Sequence, residues 1–121
     1  MTAEQKNLLL KDLCVRLPHV VKISVNDKVE SLQGINILDN VVEYDSCLSS
    51  DIEEVKPYLI PMSSMTEEQS KIYHEIIGGM FGTSALINFE VLEDFFHKNH
   101  LDYKGLIEKN LAIDATKLNV Y

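Results

Sequence analysis

A chain of 121 residues, with 45% apolar and 25% charged side chains, has the composition of one globular domain, which excludes intrinsic disorder. Its formal net charge of -8 is unevenly distributed: residues 1–44 hold five basic and six acidic side chains, and residues 45–121 hold six and thirteen. Phosphate groups repel such a surface, so direct binding to nucleic acid or to anionic membranes is disfavoured, whereas a basic protein partner is not.

The first predicted element is a helix that begins at Ala3. Thr2 and Gln5 have the spacing of a capping box, in which each side chain binds the other residue's backbone amide. Pro18 ends the helix, because proline disfavours helical geometry in the residue before it. One stripe of the helix is apolar, and Cys14 is expected on it as a small buried hydrophobe. That stripe consists of Leu9, Leu10, Leu13, Cys14 and Leu17.

Residues 19–48 predict a small antiparallel meander of three or four strands. The chain is rich in β-branched residues here, and Asn26-Asp27 has the chemistry of a turn. Gly34 is expected to mark a bulge, and Asp39-Asn40 a two-residue hairpin loop. Such a sheet needs a helix across one face, and the leucine stripe of the first helix is expected to cover it.

The next two elements are a short connection and a second helix. Ser50 or Asp51 can cap a short helical turn that Pro57 stops, and residues 58–61 are then extended. A second capping box at Thr66 begins a helix that Gly78-Gly79 ends. The apolar face of this helix is predicted to be Ile72, Tyr73, Ile76 and Ile77.

The rest of the chain is predicted to be mainly helical. Asn88 can cap a third helix, and Asp102 can cap a short fourth helix that Asn110 closes. The tail from residue 111 to residue 121 is expected to return as a strand or to dock on the surface.

The predicted fold class is α+β, with an N-terminal helix, a small antiparallel β-meander and a mainly helical C-terminal half. We expect a single domain over residues 1–121. Its helix and small sheet span residues 1–61, and its helical half spans residues 62–121.

Three segments carry a family resemblance: residues 8–18 (LLLKDLCVRLP), residues 55–68 (VKPYLIPMSSMTEE) and residues 101–112 (LDYKGLIEKNLA). Over most of its length the chain resembles a group of short, uncharacterised proteins from gut Bacteroidetes and their phages or mobile elements. That group often has Tyr-Gly where this chain has His19-Val20, and a tryptophan-containing helix where it has Phe95-Phe96. The resemblance therefore implies a divergent member, and it brings no activity with it.

Asp94, His97 and His100 are weak candidates for metal ligands. They recur at every third residue, so on one continuous helix they would lie on neighbouring turns. The alternative is that these histidines interact with the carboxyl end of a helix and stay solvated.

A glycine-rich stretch and one cysteine are further candidates for ligand binding and catalysis. The glycine-rich stretch Gly78–Thr83 offers backbone amides to an anion, but it lacks the lysine of a P-loop, and a flexible connector is the alternative. Nucleophilic catalysis would pair Cys47 with a histidine. No constellation in the sequence predicts catalytic residues, and no motif predicts a cofactor.

The two cysteines and the N-terminal residues indicate the cellular compartment of the protein. Cys14 and Cys47 form no Cys-x-x-Cys pair, which excludes a zinc ribbon or a thioredoxin-type site. The first residues form no apolar signal core, and no apolar run approaches the roughly 18 residues of a membrane span. We therefore expect a cytoplasmic protein with reduced thiols.

The acidic segment of Asp45, Asp51, Glu53 and Glu54 is the predicted interaction surface, with a solvated turn as the alternative. The leading functional hypothesis is a non-enzymatic protein-interaction or accessory module with a protein partner. One alternative is a small enzyme or a ligand- or metal-binding protein. The other is an acidic inhibitor that mimics the charge of nucleic acid. The identity of the partner and the oligomeric state stay open.

Overall fold

The structure is a computed structural model that describes residues 1–45, 48–79 and 85–121. Its helices are α1 (Ala3–Arg16), α2 (Glu67–Gly79) and α3 (Ala85–Lys98). Its strands are β1 (Lys22–Val25), β2 (Lys28–Asn36), β3 (Val41–Tyr44), β4 (Leu48–Asp51), β5 (Val55–Pro61), β6 (Leu101–Asp102) and β7 (Ile113–Asp114). Short 3-10 turns at Ile52–Glu54 and Met62–Ser64 flank β5. This arrangement confirms the predicted α+β fold class.

Helix α1 begins at the predicted capping box. The Gln5 amide donates to the Thr2 hydroxyl at 3.1 Å, and the Thr2 amide donates to the Gln5 side chain at 3.0 Å. Leu9 and Leu13 are fully buried in the hydrophobic core that α1 shares with the sheet, which confirms the leucine stripe as the cover of the sheet. Cys14 is half-buried, at the margin of this stripe.

Strands β1 to β4 form the predicted meander, with each strand antiparallel to the next. Asn26 and Asp27 both have positive φ angles, 51° and 63°, as a two-residue type I′ hairpin requires. The register of β2 against β3 shifts between Leu32 and Gly34, so the predicted bulge is confirmed.

The predicted two-residue loop between β2 and β3 is wrong, because β2 ends at Asn36 and four residues make the turn. The Asn36 side chain accepts a hydrogen bond from the Asp39 amide at 3.2 Å and donates to the Asp39 carboxylate at 2.9 Å. These bonds close a wider turn and leave Leu38 at its tip, 95% exposed.

Strand β5 lies between the antiparallel and parallel parts of the sheet. The strand order is β4-β3-β2-β1-β5-β6, and β7 also pairs with β5. On one edge β5 runs antiparallel to β1, and on the other it runs parallel to β6 and β7. The Asp51 carboxylate accepts from the Glu53 amide at 3.0 Å, which confirms the predicted cap. The predicted stop at Pro57 is wrong, because the turn ends at Glu54 and Pro57 lies within β5. Strand β7 confirms that the C-terminal tail returns as a strand.

The second capping box is confirmed at the start of α2, where the Gln69 amide donates to the Thr66 hydroxyl at 3.1 Å. The helix ends at Gly79, as predicted. The predicted cap at Asn88 is wrong, because α3 already begins at Ala85. Alanine and leucine at positions 85 and 86 favour helix, which extends the helix on the amino-terminal side of Asn88.

The predicted fourth helix is absent from the described residues, where Leu101–Asp102 is a strand and turns follow up to Asn110. The Asp102 carboxylate accepts from the amides of Leu106 and Ile107, at 2.8 and 2.9 Å. A helix cap would instead bind amides two or three residues ahead. Gly105 has a φ of +72°, which a right-handed helix does not contain.

The buried hydrophobic residues of the described ranges form two clusters. The larger joins α1 to the meander, β5 and the turns after β6, and the smaller centres on Phe95, Phe96 and Leu101 beneath α2 and α3. No helix in the described ranges combines the length and apolarity of a membrane span.

Candidate functional site

The four carboxylates of the predicted acidic surface are exposed, and two of them have local partners. Asp51 caps the turn before β5. Glu53 lies 3.1 Å from the Lys6 ammonium group and 3.9 Å from the N-terminal amino group. The segment is therefore partly neutralised by α1, so it does not present a continuous run of uncompensated negative charge.

The structure does not bring Asp94, His97 and His100 together. His19 Nε2 donates to Asp94 Oδ1 at 3.0 Å, and His97 Nε2 lies 2.8 Å from the Tyr103 hydroxyl. His100 stacks on the Tyr121 ring, with 3.5 Å between the ring centroids. Within residues 1–45, 48–79 and 85–121, no group of three His, Cys, Asp or Glu side chains has an arrangement that could hold a metal ion.

Two other predicted sites lie at or beyond the limits of the description. Cys47 is outside the described residues, as are residues 80–83 of the glycine-rich stretch. Gly78 and Gly79 are the last two residues of α2.

A buried ion pair between Asp12 and Arg16 on α1 was not predicted. The two residues are 0% and 1% exposed, and Arg16 Nε donates to Asp12 Oδ2 at 2.7 Å. Arg16 Nη2 also donates to the Leu101 carbonyl of β6 at 2.6 Å. The sequence does contain a signal: Asp12 and Arg16 fall at the i+3 and i+7 positions from Leu9, on the same stripe as the buried leucines.

The ion pair is part of a polar cluster that joins α1 to α3 and to the chain after β6. The Arg16 guanidinium lies 5.4 Å from the Tyr103 ring centroid, and Lys104 Nζ lies 3.8 Å from Asp12 Oδ1. Tyr103 in turn contacts His97 of α3. Burial raises the pKa of Tyr103 to about 12, so its phenol stays protonated and neutral. Through these contacts the cluster ties α1 to β6 and to α3.

We expect the free energy of unfolding to fall as the pH is lowered from about 6.5 towards 4. Burial, followed by the nearby Arg16 and His19 charges, lowers the pKa of His100 from 6.5 to about 4. In that window the unfolded chain binds a proton that the folded chain excludes, so stability is fully present above pH 6.5 and is lost as the pH falls. The slope is at most about 1.4 kcal/mol per pH unit for one histidine.

Urea unfolding of the wild type and of His100→Asn between pH 7 and 4.5 measures this effect. Asparagine tolerates the positive φ of 59° at this position, so the backbone is preserved. The variant is expected to lose stability less steeply than the wild type below pH 6.5. Parallel profiles of the two proteins would show that His100 is not the titrating group.

An open groove lies between α2 and α3. Its volume is about 420 Å³, and its apolar lining is Ile72, Ile76, Val91 and Phe95. On each helix the two apolar residues are four positions apart, so they project on the same face. Ile72 is 39% exposed and Val91 47% exposed, whereas Phe95 at the bottom is 7% exposed.

The two helices that form the groove are fixed to each other on their inner side. Tyr73 of α2 stacks on Phe95 of α3, with 6.4 Å between the ring centroids. The Gln69 side chain donates to the Asn99 side chain at 3.1 Å, which ties the start of α2 to the end of α3. The sequence predicts Ile72 on the apolar face of α2, and in the structure this side chain lines the groove and is 39% exposed.

Comparison of the chain with models of protein families, with curated proteins and with solved structures finds no match.

Proposed function

We propose that the protein is a non-enzymatic interaction module whose groove between α2 and α3 binds a helical segment of a partner protein. One observation carries this proposal: Ile72 and Val91, large aliphatic side chains from the two helices that line the groove, are 39% and 47% exposed. Each large aliphatic side chain gains about 1.5–3 kcal/mol when it moves from water to full burial. A partner that covers both walls would recover part of that free energy.

The shape of the groove favours a helix as the occupant. Two packed helices leave between them a furrow that a third helix fills, as in a helix bundle. An amphipathic helix presents apolar side chains at i, i+3, i+4 and i+7, which suits a lining that repeats every four residues along both walls. Among the polar residues of the lining, Gln69 and Asn99 already bind each other, so a bound helix would not leave these two amides without a partner.

The alternatives receive less support from the described residues. A metal or ligand site would need converging polar groups, and Asp94, His97 and His100 each contact a different partner. A mimic of nucleic-acid charge would need uncompensated carboxylates, and Lys6 lies 3.1 Å from Glu53. The resemblance to the short proteins of gut Bacteroidetes stays a prediction and supplies no activity.

Selection of binders from a displayed library of helical peptides tests the proposal. The selected peptides are expected to lose at least about tenfold in affinity for Ile72→Asp, because a carboxylate in the apolar lining would be desolvated by the bound helix. The matched control is Leu38→Asp, which places the same charge on a 95% exposed leucine at the β2–β3 turn. Binding to this control is expected to equal wild-type binding.

Melting temperatures of both variants check that the fold is intact. The proposal fails if the library yields no binder. It also fails if the selected peptides bind the Ile72→Asp variant as tightly as the wild type.

A further inference from the structure

We propose that the helix bound in this groove is basic, with lysine or arginine side chains on both sides of its apolar stripe. This inference rests on the proposed function and adds the chemistry of the partner. It is carried by the charge of the two helices and by the acidic residues of the groove lining. Helices α2 and α3 together hold six carboxylates and two lysines, so the pair has a net charge of about -4.

The carboxylates closest to the apolar lining stand on opposite walls. Glu68 of α2 and Asp94 of α3 both line the groove, and both are exposed. The bond from His19 to Asp94 leaves that carboxylate 66% exposed, so it can still attract a cation. Among the described residues that line the groove, Lys98 is the one basic side chain. A bound helix would therefore meet an acidic residue on each flank of its apolar stripe.

The same charges disfavour the other occupants of the groove. A second copy of the chain would bring two helix pairs of about -4 each face to face, and an acidic protein or a nucleic acid would be repelled in the same way. Exposed ion pairs contribute little to affinity individually, but a set of complementary charges selects between partners and raises the association rate. We therefore expect charge to determine which helix binds, while the apolar contacts hold it in place.

Three synthetic helical peptides test this inference. They share leucines at i, i+3, i+4 and i+7, and their remaining exposed positions are lysine, glutamine or glutamate. Each is titrated into the isotopically labelled chain while the methyl signals of Ile72, Ile76 and Val91 are followed by NMR. At an ionic strength of about 10 mM, we expect the lysine peptide to bind at least about tenfold tighter than the glutamine peptide, and the glutamate peptide to bind most weakly.

Salt and a double variant separate charge from apolar contact. The preference for the lysine peptide is expected to shrink at about 0.5 M salt, where exposed charges are screened within a few ångströms. In Glu68→Gln/Asp94→Asn the lysine peptide is expected to lose several-fold in affinity, while the glutamine peptide binds as before. Both substituted residues are exposed, so the fold is expected to be retained.

Failure of this inference and failure of the proposed function give different results. If the glutamine and lysine peptides shift the groove methyls with equal affinity, the groove binds helices without regard to charge, and only the basic partner is overturned. If none of the peptides shifts these methyls, both proposals fall. A dimer of the chain that Val91→Asp dissociates would identify a second copy as the occupant and overturn the basic partner.

Discussion

Arg16→Met is expected to lower the free energy of unfolding by about 3–5 kcal/mol, because it leaves the Asp12 carboxylate buried without its partner. Asp12 is 0% exposed, and its nearest remaining cation would be Lys104, 3.8 Å away. The substitution also removes the hydrogen bond to the Leu101 carbonyl, which ties α1 to β6. Urea denaturation of wild type and variant measures the difference.

Two further variants show that the charge, and not the lost volume, determines this cost. The double variant Asp12→Leu/Arg16→Met removes both charges and is expected to be more stable than Arg16→Met alone, since no unpaired ion stays buried. Lys6→Met removes the half-buried partner of the exposed Glu53 and is expected to change stability by less than about 1 kcal/mol. A double variant no more stable than Arg16→Met would contradict the account.

Leu106→Ala is expected to cost about 2–5 kcal/mol, the range for a leucine removed from a packed core. Leu106 lies in a turn, yet it is 0% exposed and belongs to the larger hydrophobic cluster. Its amide donates to the Asp102 carboxylate and its carbonyl accepts from the Leu111 amide, so the backbone is held and cannot collapse into the cavity.

The matched control is Leu38→Ala, which removes the same atoms from a side chain that is 95% exposed. Its effect on the free energy of unfolding is expected to stay within about 0.5 kcal/mol. Equal losses for the two variants, measured by urea denaturation, would show that Leu106 is not a core residue.

The elements that the sequence predicted well are those whose chemistry is local. A capping box needs two residues three positions apart, and both Thr2 and Thr66 form one. The left-handed turn at Asn26-Asp27 and the bulge before Gly34 likewise depend on the side chains at those positions. Such features can be predicted because the groups that form them are neighbours along the chain.

The misjudged features depend on groups that are distant in sequence or on packing. Asp102 has the composition of a helix cap, but its partners are amides four and five residues ahead, in a chain that Gly105 turns away from helical geometry. Arg16 can be buried because the Leu101 carbonyl accepts a hydrogen bond from its guanidinium group. These two residues are far apart in sequence, so the residues around Arg16 do not predict the contact. The groove is formed by α2 and α3 together, so the sequence of α2 alone does not predict it. Ile72 has the spacing of an apolar face, yet in the packed pair of helices it is 39% exposed.

The position of β5 in the sheet has a consequence for how the chain emerges from the ribosome. Strands β1 to β4 close as successive hairpins, and β5 then joins β1. The other edge of β5 stays unpaired until its parallel partners have been synthesised, since Ile60 pairs with Leu101 and Tyr58 with Ile113. A nascent chain that stops before residue 101 would leave this edge open to other chains, and unpaired strand edges promote aggregation. Synthesis of residues 101–114 is therefore the step that covers this edge of β5.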